Sequence, residues 1–193
     1  MEDACVTDLT PITALGGSAP AAHQFGPLRI SENPDVALVS LALRRGATQP
    51  APMGLELPGP GQWVAGNGVA AFWTGPGQWM IEAEGRATED FAAALAVEAS
   101  GCSITEQTDA WTVFEIVSGN GGAPIRALME KLVNLDAGAF GPGSATRTGL
   151  HHMSAYVIRR ADDRLAIIGM RSMAVALWHA LDETAERLKG ELQ

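Results

Sequence analysis

The segment most similar to a ligand-binding motif is the glycine-rich run 119–122, Gly-Asn-Gly-Gly, between a predicted strand and a predicted helix. Backbone N–H groups at a helix N-terminus can bind phosphate, and glycines let the anion approach them. The run lacks the spaced third glycine of a dinucleotide-binding fingerprint, and no lysine follows it as in a P-loop. The pattern therefore favours a tight turn over a phosphate site.

Cysteine and histidine are the residue types that most often act as nucleophiles or bind metals. Cys5 falls in a predicted tail and Cys102 follows a predicted helix, so the two do not indicate a disulfide framework. Cys102 is predicted to be a small buried apolar residue. His151 and His152 are predicted to lie on one strand, where adjacent side chains point to opposite faces and cannot bind one ion together. We predict no metal site.

The remaining candidates for acid–base chemistry have simpler explanations. Glu106 and Asp109 could form a carboxylate pair, but their place at the entry to a strand favours a structural role. His179 lies on the final predicted helix beside a tryptophan, which favours a satisfied core or interface histidine. We predict no catalytic and no cofactor-binding residue in this chain.

Two arginines are the polar residues that most need a partner. Arg171 precedes a predicted helix whose N-terminus Ser172 caps, and a cation is unfavourable beside the positive end of a helix dipole. An anion should compensate, either from this chain or from another protein. Arg147, on a predicted strand, is the second candidate. Internal salt bridges remain the alternative for both.

Composition limits the classes of partner. The 193 residues carry a net charge of −9 without a basic stripe, so we expect no nucleic-acid partner. No apolar run approaches the ~20 residues of a membrane span, and the acidic N-terminus lacks a signal-peptide pattern. We therefore expect a cytoplasmic protein without a membrane partner. Hydrophobic residues make up 47%, which a large core or contact with another protein would explain.

A tryptophan-containing hairpin is predicted over residues 72–81, where two apolar runs flank Gly75-Pro76-Gly77. Proline presets φ for a turn, and glycine on either side tolerates positive φ. Trp73 and Trp79 should lie on the same face of this hairpin. None of these residues is chemically reactive, so the hairpin is predicted to be a packing and docking element.

Periodicity predicts an α+β fold with two sheets, each covered by helices on one face. Residues 1–26 are predicted to form an extended N-terminal arm, and residues 27–193 a single domain of two pseudo-repeats, about 27–101 and 102–193. Residues 145–160 and 164–169 are predicted strands. The predicted helices are one from Thr88 to Gly101, one from Pro124 to Asn134, and one from Ser172 with Met173, Ala176, Leu177, Leu181 and Leu188 facing inward.

Several segments resemble the γ subunit of heterotetrameric sarcosine oxidase, and the likeness extends over residues 14–185. These segments are Ala14–Gly17, Ala37–Gly46, Leu55–Gly59, Phe72–Met80, Thr105–Trp111 and Gly169–Ala174. The tryptophan hairpin and the Arg171-Ser172 pair are the most specific of them. The resemblance marks Trp73, Gly75, Pro76, Trp79, Arg147, Arg171, Ser172 and His179 as candidate motif or subunit-interface residues.

The second half of the chain also resembles the folate-binding aminomethyltransferase, the T protein of glycine cleavage. The likeness rests on the helix Pro124–Val133, the pair Leu135-Asp136 and the run Gly143–Thr148. It implies a duplicated folate-binding fold. The pterin-binding carboxylates of that enzyme are not recognisable here, so folate binding is not assigned to any residue.

The resemblance implies a non-catalytic structural subunit of a sarcosine oxidase. The whole oxidase converts sarcosine to glycine and produces hydrogen peroxide together with formaldehyde or methylene-tetrahydrofolate. The resemblance implies α, β and δ subunits as partners. These would carry NAD, FAD, FMN, tetrahydrofolate and zinc, with no cofactor on this chain. The alternatives are the equivalent subunit of an N-methylglutamate dehydrogenase and a stand-alone folate-binding or one-carbon-transfer protein.

Overall fold

Two antiparallel sheets form the centre of the protein. The structure is a computed structural model that describes residues 10–136 and 138–190. The strands are β1 (Ala22–Phe25), β2 (Leu28–Glu32), β3 (Val36–Leu43), β4 (Trp63–Gly66), β5 (Val69–Gly75), β6 (Gln78–Glu84), β7 (Cys102–Glu106), β8 (Trp111–Ser118), β9 (Ser144–Leu150), β10 (Met153–Ala161) and β11 (Arg164–Met170). The six-stranded sheet has the order β1-β2-β8-β11-β10-β9, and the five-stranded sheet the order β4-β5-β6-β3-β7.

Three helices cover the outer faces of the sheets: α1 (Phe91–Glu98), α2 (Ala123–Leu132) and α3 (Ala174–Leu188). Alternation along each strand sends one set of side chains toward the helices and the other toward the opposite sheet. On β3, Val39 and Leu41 pack in the cluster beneath α1, whereas Val36 and Leu38 pack between the sheets. The predicted α+β architecture, with helices on one face of each sheet, is confirmed.

The apolar core has three parts. The first lies beneath α2 and α3 and includes Phe114, Ile125, Leu128, Ile167, Leu177 and Leu181. The second lies beneath α1 and includes Leu41, Trp79, Ile81, Phe91 and Leu95. The third lies between the sheets and includes Val36, Leu38, Phe72, Met80, Tyr156, Ile158 and Ile168.

The two sheets are built by a reciprocal exchange of strands. The order β2-β3-β4-β5-β6-α1 is repeated as β7-β8-β9-β10-β11-α3, with α2 added between β8 and β9. The first strand of each unit pairs with the second strand of the other: β2 lies against β8, from Leu28 opposite Ser118 to Glu32 opposite Phe114, and β7 lies against β3. Each sheet is therefore completed by the other unit.

A second link joins the sheets where β4 and β9 meet. Gln62 forms an isolated antiparallel bridge with Ser144. The Trp63 N–H donates to the Gly143 carbonyl at 2.7 Å, and the Ala145 N–H donates to the Gly61 carbonyl at 2.9 Å. Backbone bonds therefore tie the sheets together at this edge, in addition to the side-chain packing between them.

The described part of the predicted N-terminal arm, residues 10–26, contains a turn and a strand, while residues 1–9, with Cys5, lie outside the described residues. The turn is closed by Thr13 and Gly17, whose backbones bond at 2.9 Å. The sequence did not indicate the strand β1 within this arm. Three of its four residues are exposed, so it has no apolar alternation, and its pairing with β2 makes it a strand.

Several predicted helix ends are wrong by a few residues. Asp90, not Thr88, caps α1, its carboxylate accepting from the Ala93 N–H at 2.9 Å. Ser172 lies in a 3₁₀ turn before α3 and makes no capping bond, and α2 ends at Leu132, before the predicted cap Asn134. Since α3 starts at Ala174, its buried stripe also differs from prediction: Met173 and Ala176 are exposed, and the buried residues are Ala174, Leu177, Ala180, Leu181, Thr184, Ala185 and Leu188.

The predicted strand 145–160 is in fact two strands joined by His151 and His152. Both histidines have positive φ, 44° and 70°, and Leu150 pairs with Met153 across them. Positive φ at both central residues is the requirement of a type I′ hairpin turn, which usually selects Asn or Gly. The histidines are less typical here, so the sequence did not indicate the turn.

The strand exchange makes a specific prediction about fragments. Residues 27–101 alone and residues 102–193 alone should each show no cooperative thermal transition, because each lacks the strand that completes its sheet and exposes half of the core between the sheets. Circular dichroism of the fragments, with the intact chain as control, measures this. A cooperative transition of either isolated fragment would contradict it.

Candidate functional site

The junction between β11 and α3 carries a group of exposed apolar side chains. Met170 ends β11, Met173 ends the 3₁₀ turn that follows, and Val175 is the second residue of α3. Their exposed fractions are 53%, 46% and 66%. Ala174 and Leu177 turn inward and anchor the helix, which leaves Val175 on its outer face. Large apolar side chains grouped on a surface typically mark a binding site.

The N-terminal turn adds Ile12 to this group, with 60% of the residue exposed. The Arg171 guanidinium donates through Nη2 to the Ile12 carbonyl at 2.9 Å, which joins the turn to the junction. We call the set Ile12, Met170, Arg171, Met173 and Val175 the β11–α3 surface. Of the five strongly exposed large apolar residues in the described part of the chain, four belong to it, and Val97 on α1 is the fifth.

Arg171 is the charged group of the β11–α3 surface. The sequence predicted an anion for it, but its observed partner is the neutral carbonyl of Ile12. Within residues 10–136 and 138–190, no carboxylate lies within the 4.0 Å of an ion pair with Arg171. Asp109 lines the same shallow depression as Arg171 without pairing to it. The guanidinium is therefore partly buried without an opposite charge among the described residues.

A cleft of about 400 Å³ adjoins this surface. Its walls come from the N-terminal turn, the β2–β3 turn and the start of β8, and Arg171 lies at the boundary with the β11–α3 surface. Asp35 and Asp109 line it, as does Glu32, whose buried carboxylate accepts from the Leu15 N–H at 3.0 Å. The cleft thus combines carboxylates with one arginine, and Glu32 already serves to hold the N-terminal turn.

Glu106 and Asp109 do not form a carboxylate pair with a free site between them. Glu106 accepts through Oε1 from the backbone N–H groups of Gln107 and Thr108, both at 3.1 Å, and through Oε2 from Ala92 at 3.3 Å. It therefore fixes the turn between β7 and β8, as the structural interpretation predicted.

A buried ion cluster, which the sequence reading missed, lies between the sheets. Arg160 on β10 donates through Nη2 to Glu82 Oε2 on β6 at 2.5 Å and through Nε to Glu115 Oε1 on β8 at 3.1 Å. Trp63 donates its indole N–H to Glu82 at 2.9 Å and lies 5.4 Å from the guanidinium. The available signal was a charged residue at an inward position of an apolar strand, as Glu115 is on β8.

The environment of this cluster shifts its pKa values. Burial raises the pKa of Glu115, Arg160 opposes that shift, and Glu82 adds to it. Burial would lower the pKa of Arg160, but the two carboxylates outweigh it and raise that pKa above its usual value. Both carboxylates contact the one guanidinium, so these charges bind each other and link the sheets.

The tryptophan hairpin forms as predicted at β5–β6. Trp73 lies directly opposite Trp79, so the two share the face toward α1, and Gly77 takes the positive φ of the turn, 66°. Trp79 is buried and donates its indole N–H to the Pro58 carbonyl at 2.8 Å, whereas Trp73 is half-buried. Gly75 is half-buried and Pro76 is exposed. Trp79 is thus part of the core, and the tip of the hairpin is the accessible part.

The other predicted site residues lie on β9, in the 3₁₀ turn before α3 and on α3. Arg147, exposed on the edge strand β9, donates to Ser154 Oγ at 2.7 Å and lies 5.9 Å from the ring of Tyr156. Ser172 and His179 are exposed at and after the β11–α3 junction, so the core interpretation of His179 is wrong. His179 follows Val175 by one helical turn, which puts the two on the same face of α3. The candidates therefore fall into one group in the tryptophan hairpin and one at and after the β11–α3 junction, with Arg147 separate on β9.

Cys102 is buried as predicted, and burial raises the pKa of its thiol. In the part of the chain that the structure describes, no three or more His, Cys, Asp or Glu side chains are grouped so that they could hold a metal ion. The helices described, at residues 10–136 and 138–190, include none with the length and apolarity to cross a membrane.

Solved structures with a similar fold include a chain of the heterotetrameric sarcosine oxidase from Corynebacterium sp. U-96, solved in complex with pyrrole 2-carboxylate. The TM-score is 0.71 at 19% identity, and the match covers 86% of this chain and 88% of the oxidase chain. No protein-family model and no curated protein sequence matches the chain.

The glycine cleavage system aminomethyltransferase T from Bartonella henselae is a second structural neighbour. The TM-score is 0.55 at 14% identity, and the match covers 81% of this chain but 48% of the aminomethyltransferase. This chain therefore spans about half the length of that enzyme. At these identities the likeness shows a shared fold, and it confirms the predicted aminomethyltransferase-like architecture.

The hairpin predicts a difference between its two tryptophans. Trp79→Ala should lower the free energy of unfolding by about 3–5 kcal/mol, because it truncates a buried aromatic side chain and leaves the Pro58 carbonyl without its donor. Trp73→Ala, across the same pair, should cost less because Trp73 is half-buried. Urea denaturation measures the free energy of unfolding of both variants. An equal loss of that free energy in the two would contradict the prediction.

The ion cluster predicts a pH dependence of stability. Because Glu115 binds its proton more tightly in the folded protein than at its usual pKa of 4.5, its contribution to the free energy of unfolding should fall as pH rises through the interval above 4.5. Glu115→Gln should make that fall shallower. Urea denaturation at a series of pH values tests this, with the exposed Glu56→Gln as the matched control. An unchanged pH profile in Glu115→Gln would contradict the prediction.

Proposed function

We propose that this chain is a non-catalytic structural subunit, of the γ type, in a heterotetrameric sarcosine oxidase. Such an assembly oxidatively demethylates sarcosine to glycine and produces hydrogen peroxide together with formaldehyde or methylene-tetrahydrofolate. The observation that carries the proposal is the extent of the fold likeness to a chain of a sarcosine oxidase, which covers 86% of this chain and 88% of the other. A subunit of matching length and fold is the simplest explanation.

The distribution of charged groups supports this role. The most converged ionisable side chains, Glu82, Glu115 and Arg160, bind one another between the sheets. Cys102 is buried and its pKa is raised, which disfavours the thiolate that a nucleophile needs. The accessible feature is the apolar β11–α3 surface, which suits contact with another protein better than chemistry. The cofactors FAD, FMN, NAD, tetrahydrofolate and zinc would belong to the α, β and δ subunits.

The same fold and surface suit the related assembly that the sequence left open, an N-methylglutamate dehydrogenase. A structural subunit does not contact the substrate, so its own residues carry no information on the N-methyl amino acid. The choice between these substrates therefore rests with the flavin-bearing subunits.

A second candidate, a stand-alone folate-binding or one-carbon-transfer protein, is favoured by two observations. The fold is similar to aminomethyltransferase T, and the cleft of about 400 Å³ has the size of a small-molecule site. The carboxylates of that cleft could contact a positive group of a ligand, and Arg171 a negative group of the same ligand. This candidate requires binding by the isolated chain, which the first does not.

Co-expression tests the proposal. The tagged chain should recover flavoprotein subunits encoded beside its gene, in a fixed ratio and with bound flavin, when purified through its own tag. The eluate should oxidise sarcosine or another N-methyl amino acid, and the chain purified alone should not. Gel filtration with flavin absorbance measures the ratio, and an oxygen electrode measures turnover.

Two results would count against the structural role. One is recovery of the chain alone at high yield, without flavin. The other is heat on titration of the isolated chain with tetrahydrofolate, which would favour the second candidate. Titration of the chain with glycine, at the same concentrations, is the control for heat of dilution.

A further inference from the structure

The β11–α3 surface is anchored by contacts to the core and to the N-terminal turn. Ala174 and Leu177 are buried in the core beneath α3, which holds Met173 and Val175 in place. The bond from Arg171 to the Ile12 carbonyl joins the N-terminal turn to the junction, and the buried Glu32 holds that turn through the Leu15 N–H. Residues distant in sequence are therefore fixed side by side, and preorganised surfaces lose less entropy on association.

Arg171 gives this apolar surface a charge preference. A guanidinium has several N–H donors, and a carboxylate is the acceptor that best matches their planar geometry. Within the described residues its partner is one neutral carbonyl, although it is partly buried among Met170, Ile12 and the start of β8. A partner that covers these side chains would also remove Arg171 from water, so a carboxylate opposite it would offset that cost.

A second copy of this chain fits the surface poorly. A two-fold contact pairs a surface with itself, and the β11–α3 surface contains no carboxylate that could receive Arg171 of the other copy. Each copy also carries a net charge of −9, so the copies repel one another. A different protein, with a carboxylate among apolar side chains, satisfies both the apolar area and the charge.

We propose that the β11–α3 surface is the docking face of this chain for its partner subunit, and that the partner places a carboxylate opposite Arg171 between apolar side chains. This inference rests on the proposed function, since it assumes that the chain acts in an assembly. It adds the face that is used and the chemistry that recognises it. The predicted need of Arg171 for an anion is then met by another protein.

The test compares variants of the tagged chain co-expressed with the flavoprotein subunits. Val175→Asp adds a charge to an exposed apolar position, and Arg171→Gln removes the positive charge while keeping a donor for the Ile12 carbonyl. Val97→Asp, at 83% exposure on α1, is the matched control for adding a carboxylate to an exposed valine. Circular dichroism confirms that each variant folds.

Val175→Asp and Arg171→Gln should each reduce the flavoprotein recovered per chain by at least about tenfold, as expected for residues central to an interface. The Val97→Asp chain should recover as much flavoprotein as the parent chain does. Salt should weaken the parent complex more than the Arg171→Gln complex, because only the parent has the charge pair.

The outcomes separate the two proposals. Full recovery by Val175→Asp, or equal loss by Val97→Asp, would overturn the docking face while leaving the structural role intact. Failure of the parent chain to recover any flavoprotein would overturn the structural role and the docking face with it. Sedimentation of the isolated chain as a dimer that Val175→Asp dissociates would assign the surface to a second copy and overturn the hetero-partner.

Discussion

The pairing of β2 with β8 and of β7 with β3 is the constraint on which the rest of the structure depends. Each unit contributes a strand to the sheet of the other, so neither sheet is complete without both. The apolar layer between the sheets and the link from Arg160 to Glu82 and Glu115 follow from this arrangement. The two halves, whose elements follow the same order, are thereby joined through both sheets.

The exchange also creates the candidate functional surface. Strands β1 and β2 belong to the same sheet as β11, and the N-terminal turn that precedes β1 lies beside the end of β11. Arg171 there donates to the Ile12 carbonyl, 159 residues away in the chain. The carboxylate of Glu32, at the end of β2, accepts from the Leu15 N–H and thereby holds this turn. The apolar group at the β11–α3 junction therefore exists only in the folded chain and faces outward as one surface.

Charged and apolar side chains are distributed differently in the interior and on the β11–α3 surface, and this difference supports the proposed function. Between the sheets, Arg160 is paired with Glu82 and Glu115, and the tryptophan hairpin packs against α1 through Trp79. Outside, the large apolar side chains are concentrated around one arginine. A protein that contributes shape and contact area to an assembly would have this distribution.

The sequence alone determined what depends on neighbouring residues. Periodicity predicted two sheets with helices on one face of each and a helix that begins at Pro124, and Gly-Pro-Gly predicted the hairpin that aligns Trp73 with Trp79. It also indicated that Arg171 needs a partner. Tertiary structure decided which strands pair, where β1 forms, that Met173 is exposed and that Arg160 joins two glutamates. These features depend on contacts between distant segments, and local periodicity reports the face of a residue but not the segment opposite it.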